Sequence, residues 1–153
     1  MPPITFINDD FHGVDHQQDD PMVITIEFQN YAVKKVLIDQ GSSVDILYWT
    51  TYQKLQVPLT AMVPYDEPIY EFSEEKVSTR GYIDLHTVFQ EASQTKTILI
   101  RFLVVDAPTS YNVLLGRPSL NTLGTVVSTP HLAMKFTSPL GDILTIHSDQ
   151  RLA

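Results

Sequence analysis

Val36-Leu37-Ile38-Asp39-Gln40-Gly41-Ser42-Ser43 is the stretch whose reading decides the fold. Three apolar residues run into a carboxylate, and a glycine follows two positions later. The apolar run predicts a strand, and Gly41 predicts a tight turn that leaves room for another backbone or a ligand. An aspartate delivered this way is expected to face a buried centre. The hydroxyls of Ser42 and Ser43 are expected to donate hydrogen bonds that hold it in place. Well downstream, Asn112-Val113-Leu114-Leu115-Gly116-Arg117 reads as a short buried strand ending in glycine, suited to brace that turn.

Upstream of the turn, Met22, Ile24, Ile26 and Phe28 alternate with Val23, Thr25 and Glu27, a period of two that predicts a strand. Gln29-Asn30 supplies a turn, because asparagine tolerates the left-handed conformation. Residues 22–28 and 31–38 therefore form a hairpin whose second arm leads into Asp39. Beyond it, Thr50 three residues before Gln53 predicts a capping box. Trp49, Tyr52 and Leu55 have the apolar spacing of a short helix that stops before Pro58.

Residues 69–89 read as a long hairpin with its tip near Ser73-Glu74-Glu75-Lys76. Residues 97–106 are apolar on both faces, which predicts a central strand. Pro118 and Gly124 bracket a helix of two turns, and residues 132–137 and 143–147 are the arms of a final hairpin. Asp9, Asp10, Asp15, Asp19 and Asp20 make residues 1–21 an acidic leader or linker, leaving 22–153 as one domain. Short strands, tight turns and two small helices give an all-β, barrel-like architecture.

Composition narrows the chemistry. The 153 residues are 43% hydrophobic and 18% charged, a globular balance. With no cysteine, disulfides, thiolate catalysis and cysteine-based zinc sites are excluded. The net charge of −8 carries no concentrated basic surface, which argues against a nucleic-acid partner. No apolar run approaches the ~20 residues of a membrane span. No basic segment followed by an apolar one marks the N-terminus for secretion, so a cytoplasmic location is expected. His12 and His16 flank Asp15 at a metal-like spacing, but they lie in an acidic, glycine-containing segment and read as solvated. Ser42 and Ser43 lie outside any Gly-x-Ser-x-Gly pattern.

At the two quoted motifs, and over residues 22–150, the sequence resembles the retropepsin family, the aspartic proteases of retroviruses and retrotransposons. It is most similar to those of plant gypsy-type LTR retrotransposon polyproteins. The resemblance implies a closed barrel with one or two short helices and a flap hairpin, and aspartic endopeptidase activity. By the same resemblance Asp39 is the catalytic carboxylate, and Gln40, Gly41, Ser42 and Ser43 form the active-site turn. Glu71, Phe72, Ser73 and Glu74 form the flap, and Leu114, Leu115, Gly116 and Arg117 the brace, with Arg117 securing the turn by an ion pair or hydrogen bond. The chain departs from the family pattern in two places. Gln40 replaces the usual Thr or Ser, whose hydroxyl links the two active-site turns of a dimer, and Glu71 and Glu74 stand where flaps carry glycine.

Peptide hydrolysis by this route needs two carboxylates around one water, one acting as base and one as acid. Held close together they share one proton and titrate as a pair. The chain contains a single Asp-x-Gly, so the second carboxylate has to come from another copy. A homodimer acting on a peptide or polyprotein substrate follows, with no cofactor and no metal. The expected setting is intracellular, in a retroelement particle. The alternative is a catalytically silent retropepsin-like dimerisation or binding module, suggested by Gln40 and the glutamate-bearing flap.

Overall fold

The computed structural model describes residues 21–28, 30–58, 61–64, 78–128 and 130–149. The period-two segment folds as β1 (Val23–Phe28), and β2 (Tyr31–Ile38) returns antiparallel to it. Between them Asn30 takes φ 65°, the left-handed turn residue read from the sequence. Met22, Ile24, Ile26 and Phe28 are all buried. A four-residue strand, β3 (Asp45–Tyr48), comes next and runs directly into α1 (Trp49–Lys54).

The capping box is not formed. Tyr48 is the residue at the helix N-cap and makes no side-chain capping bond, while Thr50 lies inside the helix and is exposed. The helix is held by packing instead. Tyr52 and Leu55 are buried, and the Trp49 and Tyr52 rings stack with centroids 5.3 Å apart.

β4 (Ser78–Glu91) and β5 (Gln94–Asp106) form the longest hairpin among the described residues. Its incoming strand begins at Ser78. The predicted flap, Glu71, Phe72, Ser73 and Glu74, lies outside the described residues, as does the predicted leader, residues 1–21, up to residue 20. The prediction that β5 is apolar on both faces holds only for its second half. Leu103 and Val105 are buried, but Leu99 is 55% exposed because the first half of the hairpin extends past the barrel wall that β3 provides. β6 (Val113–Leu115) is buried at every residue, and α2 (Arg117–Leu123) follows at once. Pro118 sits in its first turn, and Gly124 closes it with φ 68° and ψ 37°, the left-handed cap predicted. β7 (Val126–Ser128), β8 (Ala133–Thr137) and β9 (Ile143–His147) end the chain as a three-stranded sheet. The predicted final hairpin is β8–β9, and β7 is an added strand that the sequence did not reveal.

The first six strands close into a barrel in the order β1-β2-β6-β3-β5-β4. Two contacts are parallel, Val36–Ile38 of β2 with Val113–Leu115 of β6, and Asp45–Tyr48 of β3 with Phe102–Val105 of β5. The barrel is filled by Ile24, Ile26, Phe28, Phe89, Phe102 and Leu115, with Phe28 and Phe102 tilted against each other at 5.8 Å. The C-terminal sheet joins this core through Phe136, whose ring meets Phe89 edge-on at 6.0 Å. Hydrogen bonds from Thr145 N–H to Glu91 Oε2 (2.6 Å) and from Thr25 Oγ1 to Asp149 Oδ2 (2.7 Å) tie it further.

The two positions on β5 should behave oppositely. Phe102→Ala empties a fully buried site and should cost about 3–5 kcal/mol. Leu99→Ala on the exposed half should stay within about 0.5 kcal/mol of the parent. Urea unfolding of the two variants measures both.

Candidate active site

Four residues separate the end of β2 from Ser43, and main-chain hydrogen bonds fix the turn they make. Asp39 N–H donates to Leu115 O (2.9 Å), which continues the parallel β2–β6 ladder by one more bond. Gly41 N–H then donates back to Asp39 Oδ1 at 2.9 Å and so holds the carboxylate at the mouth of the turn. A Cβ on residue 41 would lie 3.3 Å from that same oxygen, so glycine keeps the approach open. Ser42 turns its hydroxyl to the chain ahead of it. Ser42 Oγ donates to Val44 O (2.8 Å) and accepts from Val44 N–H (3.2 Å), so it stabilises the exit from the turn instead. Gln40 is exposed at the tip, and Ser43 lines a cavity beside it.

The brace is present and is tighter than the sequence implied. Arg117 N–H donates to Ser42 O at 2.8 Å. The tie predicted for Arg117 is therefore made by its main chain, and its side chain is exposed. Gly116 explains why the motif ends in glycine: an added Cβ would sit 2.3 Å from Val44 O and 2.7 Å from Ser42 O. Leu114 and Leu115 face opposite ways, Leu115 into the barrel core and Leu114 into a second apolar cluster.

That second cluster defines the outer face of the barrel. Ile46, Leu103, Val105 and Leu114 form it, with Leu37, Val44, Tyr48 and Tyr82 packed alongside. Side chains two apart on a strand share a face, so Asp39 follows Leu37 onto this outer side while Ile38 enters the core. The expectation of a carboxylate facing a buried centre needs that correction: Asp39 is half-buried at the edge of an apolar wall outside the barrel. Tyr48 belongs to the same wall. Burial pushes its hydroxyl above the usual phenol range, a hydrogen bond with Thr109 counters the rise, and the charges of Asp39 and then Tyr111 add to it.

Two further residues organise the site, and sequence reading passed over both. Asp45 is only 3% exposed, and its Oδ1 accepts from Gly116 N–H and from Ser119 Oγ, each at 2.7 Å. It pins the start of α2 beneath the turn. Burial raises its carboxyl above the ordinary value, with the bonds from Ser119 and Gly116 opposing that rise. Asn112 makes four hydrogen bonds to separate parts of the chain. Its N–H donates to Lys35 O (3.0 Å) and its Nδ2 to Lys34 O (2.7 Å), while its carbonyl accepts from Tyr48 N–H (3.1 Å) and its Oδ1 from Thr51 Oγ1 (2.7 Å). It fastens the loop before β6 to β2, β3 and α1 together. The polar side chain directly before the apolar run was the available signal.

The fold is that of the retropepsin-like aspartic proteases. The retroviral protease-like domain of Ddi1 from Leishmania major superposes with a TM-score of 0.59 at 13% identity, covering 84% of this chain and 93% of that one. The EIAV protease, in complex with an inhibitor, superposes with a TM-score of 0.53 at 20% identity, covering 75% of this chain and 99% of that one. No protein-family model matches the sequence, and no curated protein does.

Gly116→Ala should cost about 3 kcal/mol or abolish folding, because backbone carbonyls rather than movable side chains occupy the space. Thermal unfolding reports it. Asp45→Asn keeps an acceptor for Gly116 and should show a pH signature. With its folded value raised, Asp45 supports the fold most below the unfolded carboxyl value, and that support is lost as pH rises through the folded value. The stability of Asp45→Asn relative to the parent should therefore improve from mildly acid to neutral solution, as chemical denaturation at the two pH values will show.

Proposed function

We propose that this chain is an aspartic endopeptidase that acts as a homodimer, with Asp39 of each copy activating one water between them. The observation that carries the reading is the carboxylate itself. Asp39 stands at the end of a strand, fixed by Gly41 N–H and braced through Leu115, at the rim of an extended apolar wall. Leu37, Val44, Tyr48 and Tyr82, the partly buried side chains packed on that cluster, suit a peptide bound in extended form beside the turn. The fold, shared with the EIAV protease and with a retroviral protease-like domain, is compatible with the same chemistry.

Because the sequence holds one Asp-x-Gly, the second carboxylate comes from the second copy. With a water between them, one carboxylate takes its proton as it attacks the peptide carbonyl, and the other donates to the departing amine. In this reading Gln40, exposed at the tip of the turn, bonds its counterpart across the axis. β7 offers a route to the pairing. It lies at one edge of the C-terminal sheet, with Val126 41% exposed, and it follows α2 directly. Two such edges can join antiparallel about a two-fold axis. In this reading the substrate is the polyprotein of a retroelement, cleaved at apolar sites in an intracellular particle.

Purified protein incubated with apolar peptides at mildly acid pH should cleave them, and Asp39→Asn should reduce the rate by roughly 10²–10⁴-fold or more. Equal inactivity of parent and variant, in a preparation that sediments as a dimer, would establish a binding module instead. Val126→Asp should shift the protein toward monomer in sedimentation and lower activity in proportion. An unchanged dimer would place the interface elsewhere.

A further inference from the structure

At the end of β2 remote from Asp39 the surface carries an open groove of about 290 Å³. It forms where the start of β2 meets the end of α1, and its lining is mixed. Val33 and Leu55 give it a buried apolar floor, and Tyr31 stands 42% exposed at one side. Lys34 and Lys54 bring a cation from each of the two elements.

The two lysine-bearing elements are fixed to each other. Asn112 Nδ2 donates to Lys34 O (2.7 Å), and Asn112 Oδ1 accepts from Thr51 Oγ1 (2.7 Å), about one helical turn before Lys54. The strand also bulges here. Its register with β1 shifts opposite Ile24–Ile26, and Lys35 takes φ 56°, a left-handed conformation uncommon for a side-chain-bearing residue. The bond from Asn112 N–H to Lys35 O (3.0 Å) braces the bulge. Both lysines lack a carboxylate partner among the described residues, whose ion pairs are Arg80 with Asp106 and Arg101 with Asp84. Two unneutralised ammonium groups thus share one rigid groove in a chain of net charge −8.

The sequence ahead of β1 holds the complement. Residues 1–20, outside the described part, contain five aspartates and no lysine or arginine. Asp9-Asp10-Phe11 sets two carboxylates next to an aromatic ring, which matches a groove with two lysines, a tyrosine and an apolar floor. The reach suffices. Val23 pairs with Leu37, three residues from Lys34, so the groove begins roughly 10 Å back along the strand. The chain from Phe11 to Met22 can span about 35 Å.

We propose that this groove binds the chain's own N-terminal acidic segment, with Asp9 or Asp10 paired to Lys34 and Lys54 and Phe11 laid against Tyr31 and Leu55. Because the groove and Asp39 lie at opposite ends of β2, the docked segment leaves the active-site turn uncovered. The contact is independent of peptidase chemistry.

Zero-length carbodiimide coupling of the full chain, mapped by mass spectrometry, tests it. A mixture of unlabelled and isotope-labelled protein separates links within one chain from links between two. Lys34 or Lys54 should couple to Asp9 or Asp10 within one chain, in higher yield than any other lysine. Raising salt from about 0.1 M to about 1 M shortens the screening length from roughly 10 Å to roughly 3 Å and should suppress these links. Phe11→Ala should lower their yield about fivefold, the effect of losing one aromatic contact. Links spread evenly over the lysines, or none to Lys34 and Lys54, would overturn the proposal. Links found only between chains would make the occupant a second copy and overturn it equally. An unchanged yield in Phe11→Ala would overturn the part assigned to the ring.

Discussion

The site depends on a backbone lock between two segments about 75 residues apart in sequence. The turn after Asp39 is bonded to Leu115 and Arg117 by main-chain groups alone, and the carboxylate of Asp45 closes the same contact on Gly116. The space between the segments is so small that the carbonyls of Ser42 and Val44 fill the position a side chain on residue 116 would take. Backbone-to-backbone bonding of this kind holds atoms with less play than long side chains do. Asp39 is thus oriented by peptide groups, and the side chains around it are left to shape the wall.

That division between backbone and side chain is repeated across the barrel. The inward residues of β1 to β6 form one large apolar core, and the outward residues of β3, β5 and β6 form a smaller second one. A barrel of this type ordinarily turns its polar face to solvent. Here the outer side near the turn carries a second apolar cluster, with Ile46, Val105 and Leu114 buried by the chain itself. Asn112 keeps the loop before β6 in register by bonding through its main chain and through both ends of its side-chain amide.

Much of this was legible in the residues. The β1–β2 hairpin, the strand ending at Gly116 and the helix closed by Gly124 each carry a local signal: a period, a turn residue or a left-handed cap. What stayed hidden depends on partners far away in sequence. β3 is four residues long and shows no period of its own, because it is sandwiched between β5 and β6 and buried on both faces. Asp45 reads in sequence like any other acid, and only the arrival of Gly116 and Ser119 makes it a buried acceptor. Thr50 and Gln53 show the opposite failure, a local capping pattern overridden because Tyr48 leads from the strand straight into the helix. Leu99 was read as buried from its composition, but the hairpin outruns the neighbour that would have covered it.

The parallel pairing of β2 with β6 also bears on when the molecule becomes competent. Val36 meets Val113, so the ladder under the turn closes only after all of β3, β4 and β5 has been made. Contacts so distant along the chain form slowly, since the intervening segment must lose its freedom before the bonds reward it. A ribosome still short of Arg117 carries an Asp39 with nothing behind it. Synthesis of the domain is in this sense a timer, and the carboxylate acquires its final orientation near the end of the run.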